Sequence, residues 1–174
     1  MQKFMWSIQD IDNRQAWGVI PKPPIGRTWD ELMDIALTSA KNNCGEEVPV
    51  GAIIVKYDGQ IIADAKNKSI EKSDPTAHAE ICAIRQASAK LGNYRLNNCV
   101  MVVTLEPCIM CVGAMIHARL SGVVYGAYSL KSGAVESCIN GFDLPYLNHR
   151  VWHYGGVRSD ECASFLKLFF QKKR

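Results

Sequence analysis

Two stretches hold residue types that could do chemistry together: His78-Ala79-Glu80 and, thirty positions on from His78, Pro107-Cys108-Ile109-Met110-Cys111. On a helix, residues three apart share a face, so Cys108 and Cys111 can present both sulfurs to one point. A helix N-terminus favours negative charge, which lowers thiol pKa and supplies the thiolates that a metal requires. Proline before the first cysteine suits a helix start, and one neutral imidazole plus two thiolates is a set that zinc accepts tetrahedrally. Three protein ligands leave a coordination position open. That separates a catalytic zinc from a structural one, because water there becomes nucleophilic near neutral pH. Glu80 lies near the metal with no obligation to ligate it, which is where a proton carrier belongs.

Each part also has an ordinary reading. A lone CxxC can be a redox pair, a buried His a satisfied core residue, and a first-turn Glu simply complements the helix dipole. The same strand-to-helix placement at both motifs favours zinc chemistry over three coincidences. Cys82, one turn beyond His78, is the sequence-adjacent candidate for a fourth ligand and reads as core. Cys44, Cys99, Cys138 and Cys162 read as buried or incidental thiols, and His117, His149 and His153 are not assigned to the metal.

The elements that must position these groups follow from pattern. Thr28-Trp29-Asp30-Glu31 fits a capping box, and Leu32, Ile35, Ala36 and Ala40 continue at helical spacing to about residue 43. VPVGAIIVKY and QIIADAKN flank Asp58-Gly59, a strong hairpin signal. From Thr76 a helical pattern runs through Ile81, Ile84 and Ala87 to Gly92, and CVMVVTL then reads as a buried strand. CIMCVGAMIHARL is a second apolar-faced helix, SGVVYGA a short strand, and DECASFLKLFFQKK a terminal helix begun by Ser159 or Asp160. A hairpin followed by strand–helix alternation predicts one α/β domain with a mixed sheet and helices on its faces. Residues 128–150 show no clear period and predict either a functional loop or elements that the pattern does not reveal.

The chain of 174 residues suits one domain, here 28–174, preceded by an extension over 1–27 that ends in PKPPIGR. Apolar (48%) and charged (21%) shares are ordinary and exclude collagen-like and wholly disordered classes. A net charge of +3 permits an acidic partner without arguing for one. Seven cysteines without regular spacing suit a reducing compartment. Asp10, Asp12 and Arg14 interrupt the apolar core a signal peptide would need, and no run is long enough to span a membrane, so a cytoplasmic location is expected.

H-x-E with P-C-x-x-C is the signature of zinc nucleobase deaminases. More narrowly, EEVPVGAIIV, DPTAHAEICAIRQ, NYRL, TLEPCIMCVGAMIHARL, VVYGA, NHRV and GVRSDECASFLKLFF resemble the TadA-type tRNA adenosine deaminases over nearly all of residues 28–174. The resemblance implies a three-layer α/β/α cytidine deaminase-like fold with a mixed central sheet. It also implies one Zn2+ per subunit, a homodimer, a tRNA anticodon stem-loop as substrate, and conversion of wobble adenosine A34 to inosine.

Carried onto matching positions, the resemblance makes His78, Cys108 and Cys111 the zinc ligands. Glu80 is then the group that moves a water proton to ring N1 and later protonates the departing ammonia. Asn67 would hydrogen-bond the flipped base and the Ala79 main-chain N–H its edge, while His149 would help form the substrate loop. The terminal Phe169 and Phe170, beside Lys173, could stack on unpaired bases and touch phosphate. One departure stands out: Tyr128-Ser129 replaces the Arg-Asp that commonly follows VVYGA, and Ser129 falls where the acid lies beside the substrate ribose. The alternatives are a deaminase of free guanine or cytosine and an inactive zinc-containing partner subunit; an intact Glu80 speaks against the latter.

Overall fold

The computed structural model describes residues 21–42 and 45–173. Cys44, and most of the expected extension, lie outside the described residues. In chain order the elements are α1 (Trp29–Lys41), β1 (Gly51–Lys56), β2 (Ile61–Lys66), α2 (Ala79–Leu91), β3 (Cys99–Leu105), α3 (Ile109–His117), β4 (Gly122–Ala127), β5 (Trp152–Tyr154) and α4 (Ser159–Lys172).

The five strands form one sheet in the order β2-β1-β3-β4-β5. β1 pairs antiparallel with both β2 and β3, whereas β3–β4 and β4–β5 are parallel. The mixed sheet expected from the pattern is therefore present. β3 and β4 are buried almost throughout, as their unbroken apolar runs require of central strands covered on both faces.

Alternation along the strands sorts side chains into two cores. Ala52, Ile54, Met101 and Val103 pack with Ala83 and Ala87 of α2 and Met115 of α3. Ile53, Val55, Val100 and Val102 pack with Leu32, Met33 and Leu37 of α1 and Cys162 of α4. Two helices thus cover each face, giving the three α/β/α layers.

Local signals account for most boundaries. Thr28 and Glu31 form the reciprocal capping box at α1, with bonds of 3.2 and 2.9 Å. Gly92 ends α2 in the left-handed region at φ 61°, which costs glycine nothing. Residues 21–27 run against the hairpin, where Ile25 N–H donates to the Tyr57 carbonyl at 2.9 Å. The Trp29 indole N–H reaches back to the Pro21 carbonyl at 2.6 Å.

Two details differ from the pattern reading. The three-residue β5 is an additional strand, too short to show a period. α4 begins at Ser159, but neither Ser159 nor Asp160 caps it; its N-cap is Arg158 at φ 52°, with no side-chain cap bond. The Arg158 guanidinium instead pairs with Asp34 at 3.0 Å, tying the start of α4 to α1.

Candidate metal centre and active site

Because β2 and β3 both run antiparallel to β1, they run parallel to each other and end at the same edge of the sheet. The helices that follow them, α2 and α3, cover the same face. Their N-termini therefore meet beyond the carboxyl ends of the strands, the usual ligand position in open α/β sheets.

His78 and Cys108 occupy the N-cap positions of α2 and α3, both in extended conformation, and neither side chain caps its own helix. Positions normally given to Ser or Asp thus carry groups free to face one another. The carbonyls of both residues still accept the first helical bonds, from Cys82 and Val112 at 2.9 Å each. Cys111, one turn into α3, is fully buried.

The result is a compact triangle. His78 Nδ1 lies 3.6 Å from each sulfur, and the sulfurs lie 3.7 Å apart. Tetrahedral zinc with bonds of about 2.3 Å to sulfur and 2.0 Å to nitrogen requires S···S of roughly 3.8 Å and S···N of roughly 3.5 Å. The donor set and its spacing therefore fit the ion. Among the described residues these three are the group of His, Cys, Asp and Glu side chains that could hold a metal. Cys82 points elsewhere, its sulfur 3.7 Å from the Ala77 carbonyl, consistent with a core residue.

Electrostatics around the triangle split the two thiols, favouring the thiolate at Cys108 and the protonated form at Cys111. The side-chain contact with Cys111, reinforced by His78 and opposed by burial, holds the Cys108 thiol down at about 4. The same contact, together with burial, pushes Cys111 up. The bond to Cys108 raises His78. Glu80, in the first turn of α2 and only 4% exposed, is raised by burial. A carboxyl that holds its proton more readily than usual, beside the Cys111 thiol, suits proton transfer.

Asn67 lies just past β2. Its Oδ1 accepts the Ala79 main-chain N–H at 2.8 Å, so Asn67 satisfies an orphan donor that His78 leaves uncapped. The Ala79 amide therefore has a partner inside the protein.

The other expected contacts are dispersed. Ser129 donates its N–H to Glu106 Oε2 at 2.9 Å, and its hydroxyl lies 3.1 Å from that of Ser132. His149 Nε2 lies 2.6 Å from the Leu120 carbonyl, which pins His149 to the turn between α3 and β4. Phe169 and Phe170 meet edge to face at 5.3 Å. The Lys173 ammonium sits 4.9 Å over the Phe169 ring and donates to the Glu46 carbonyl at 2.9 Å, so this cluster is tied to the segment entering β1. Cys99 and Cys162 are buried as expected, whereas Cys138 is exposed.

Glu106, assigned no role from the sequence, is a buried carboxylate immediately before Pro107. A charge at the exit of an otherwise apolar strand was the available signal.

A family model of the cytidine and deoxycytidylate deaminase zinc-binding region matches residues 27–127. A tRNA-specific adenosine deaminase of Haemophilus influenzae is 44% identical over 146 residues, covering 83% of this chain and 84% of that protein. A tRNA(Ile)-lysidine synthase of Deinococcus radiodurans is 37% identical over 177 residues; the match covers 100% of this chain but only 28% of that larger protein. A solved structure from work on A-to-I editing by tRNA:A34 deaminases at the wobble position superposes with a TM-score of 0.74 at 43% identity. That superposition covers 78% of this chain and 98% of the other.

Proposed function

This chain belongs to the zinc-dependent cytidine and deoxycytidylate deaminase family and, within it, to the tRNA-specific adenosine deaminases, and we propose that it hydrolyses the wobble adenosine A34 of a tRNA anticodon to inosine. The observation that carries the reading is the triangle of His78 Nδ1, Cys108 Sγ and Cys111 Sγ, at edges of 3.6 to 3.7 Å, with a buried Glu80 in the adjoining helical turn.

A zinc ion held by these three atoms supplies Lewis acidity that makes a water nucleophilic near neutral pH. Glu80 takes the proton of the attacking water and delivers it to adenine N1 as the C6–O bond forms. It then takes the proton of the new C6 hydroxyl and passes it to the exocyclic nitrogen as the C6–N bond breaks and ammonia leaves. Adenosine and water thus become inosine and ammonia, with Glu80 returned to its starting state. Asn67 Nδ2 donates to the flipped base while Oδ1 holds the start of α2, so one side chain orients both substrate and proton carrier. Flipping removes the base from its stack, and these directed contacts offset that loss.

A homodimer is supported by large apolar side chains left in water, with Ile109 55% and Leu130 84% exposed close to the α3 N-terminus. A cytoplasmic location is in keeping with a tRNA substrate and with free thiols at Cys82, Cys99 and Cys162. Among the described residues, no helix is long and apolar enough to cross a membrane.

The deciding experiment incubates the zinc-loaded protein with an anticodon stem-loop containing A34, and separately with free guanine and cytosine. Inosine in the RNA is the expected product. Deamination of a free base alone would replace this reading with that of a nucleobase deaminase, and no turnover with zinc bound would make the chain a partner subunit.

A further inference from the structure

The carboxylate of Glu106 is 3% exposed, and its hydrogen bonds run to a loop more than twenty positions away in sequence. Oε1 accepts the main-chain N–H groups of Val135, Glu136 and Ser137 at 3.1, 2.8 and 2.9 Å. Oε2 accepts the Ser129 N–H at 2.9 Å and the Ser137 hydroxyl.

Four of the five donors are main-chain amides, so side-chain changes in the loop cannot replace them, and an anionic acceptor strengthens each bond. A second tie lies one residue on, where Ala134 N–H donates to the Pro107 carbonyl at 2.8 Å. Space is also closed: a Cβ on Gly133 would come within 2.2 Å of Glu106 Oε2. The strand exit that leads into Cys108 therefore grips the 129–137 loop.

We infer that Glu106 is a positioning residue: it holds the 129–137 loop as a preformed wall beside the Cys108 end of the site, and that wall receives the nucleotides flanking the target base. The substrate half of this inference rests on the RNA-editing reading above. A wall ordered before binding spares the complex the entropy of ordering it, so its loss appears in KM rather than in the chemical step.

Glu106→Gln tests the arrangement selectively. With its one oxygen turned to the amides of 135–137, the new NH2 group faces the Ser129 N–H donor to donor, whereas the Ser137 hydroxyl can rotate to accept. Hydrogen exchange at Ser129 is expected to rise by about tenfold or more while that of residues 135–137 changes far less. Zinc stays at one per chain, and KM for the anticodon stem-loop rises roughly tenfold with kcat nearly unchanged. Gly133→Ala, which wedges the carboxylate without altering it, should give the same KM shift and carries the test if the Gln variant fails to fold. Unchanged exchange at Ser129, loss of zinc, or a fall in kcat at constant KM would overturn the inference. A wild-type protein that makes no inosine would instead overturn the RNA reading, with the exchange data still deciding the anchoring role of Glu106.

Discussion

Asn67 Oδ1 accepts the Ala79 main-chain N–H at 2.8 Å, so a residue at the end of β2 caps the helix whose first turn carries Glu80. His78 sits at the N-cap without capping, because its ring is turned toward Cys108 and Cys111. The borrowed cap resolves a conflict between folding and chemistry: one position cannot both satisfy the helix end and ligate a metal.

Substitution at Asn67 should therefore separate two roles. Asn67→Asp keeps an acceptor for Ala79 but loses the donor to the base, so the melting temperature should hold while kcat/KM falls by about tenfold. Asn67→Ala should lose both, at about 1 kcal/mol of stability, or about 2–4 °C in a domain of this size. Thermal melts beside kinetics on the stem-loop distinguish the pair. Full activity in Asn67→Asp would remove the base contact.

Metal content should follow the triangle. Cys108→Ala or Cys111→Ala is expected to lose zinc and activity together, and dialysis of the wild type against a chelator should do the same, reversed by added Zn2+. Elemental analysis checks this directly. A variant that retains one zinc per chain would contradict the ligand assignment.

Glu80→Gln should keep zinc and RNA affinity while kcat falls by about 10²–10⁴, because only a proton transfer in the transition state is removed. The raised affinity of Glu80 for its proton comes chiefly from burial, so in the proposed mechanism the packing of α2 against the sheet tunes the proton carrier. Near-normal turnover in this variant would require another proton carrier.

Much of this was legible in the sequence because local and global signals agreed. CVMVVTL reads as β3 to the residue, since an apolar run of that length must lie between two covering layers. The spacing of Cys108 and Cys111 fixes their shared face without tertiary information. What stayed hidden depends on contacts across the chain. The Asn67–Ala79 bond crosses a loop, the Glu106 clamp spans more than twenty residues, and β5 pairs only over Trp152–Tyr154. Arg158 in a left-handed N-cap was equally unreadable, because its partners Asp34 and Glu161 come from two different helices.

Stability should weaken on mild acidification through His153. Burial lowers its pKa in the folded protein even though Glu136 Oε1 lies 3.2 Å from Nε2. The unfolded chain binds its proton near pH ~6.5, before the folded one does, so this contribution is complete above ~6.5 and declines as pH falls toward the folded value. His153→Phe, which preserves stacking on Phe142, should flatten the stability profile between about pH 7 and 5. Denaturant titrations across that range measure it; an identical slope in the variant would assign the acid sensitivity to other groups.

Ser129 offers a test of sugar selection. Its main chain is fixed by Glu106 and its hydroxyl lies beside Ser132, so the side chain is neutral and short where an aspartate stands in the relatives that the motif resembles. A carboxylate accepts a ribose 2′-hydroxyl bond about twice as strongly as a neutral oxygen does, so the energy separating ribose from deoxyribose should be small in this protein. Ser129→Asp is expected to raise the ratio of kcat/KM on RNA to that on a matched DNA stem-loop. Because Glu106 grips the Ser129 amide rather than its side chain, the substitution leaves the loop anchored, and any change in the ratio belongs to the new carboxylate. An unchanged ratio would mean that the side chain at 129 does not read the sugar.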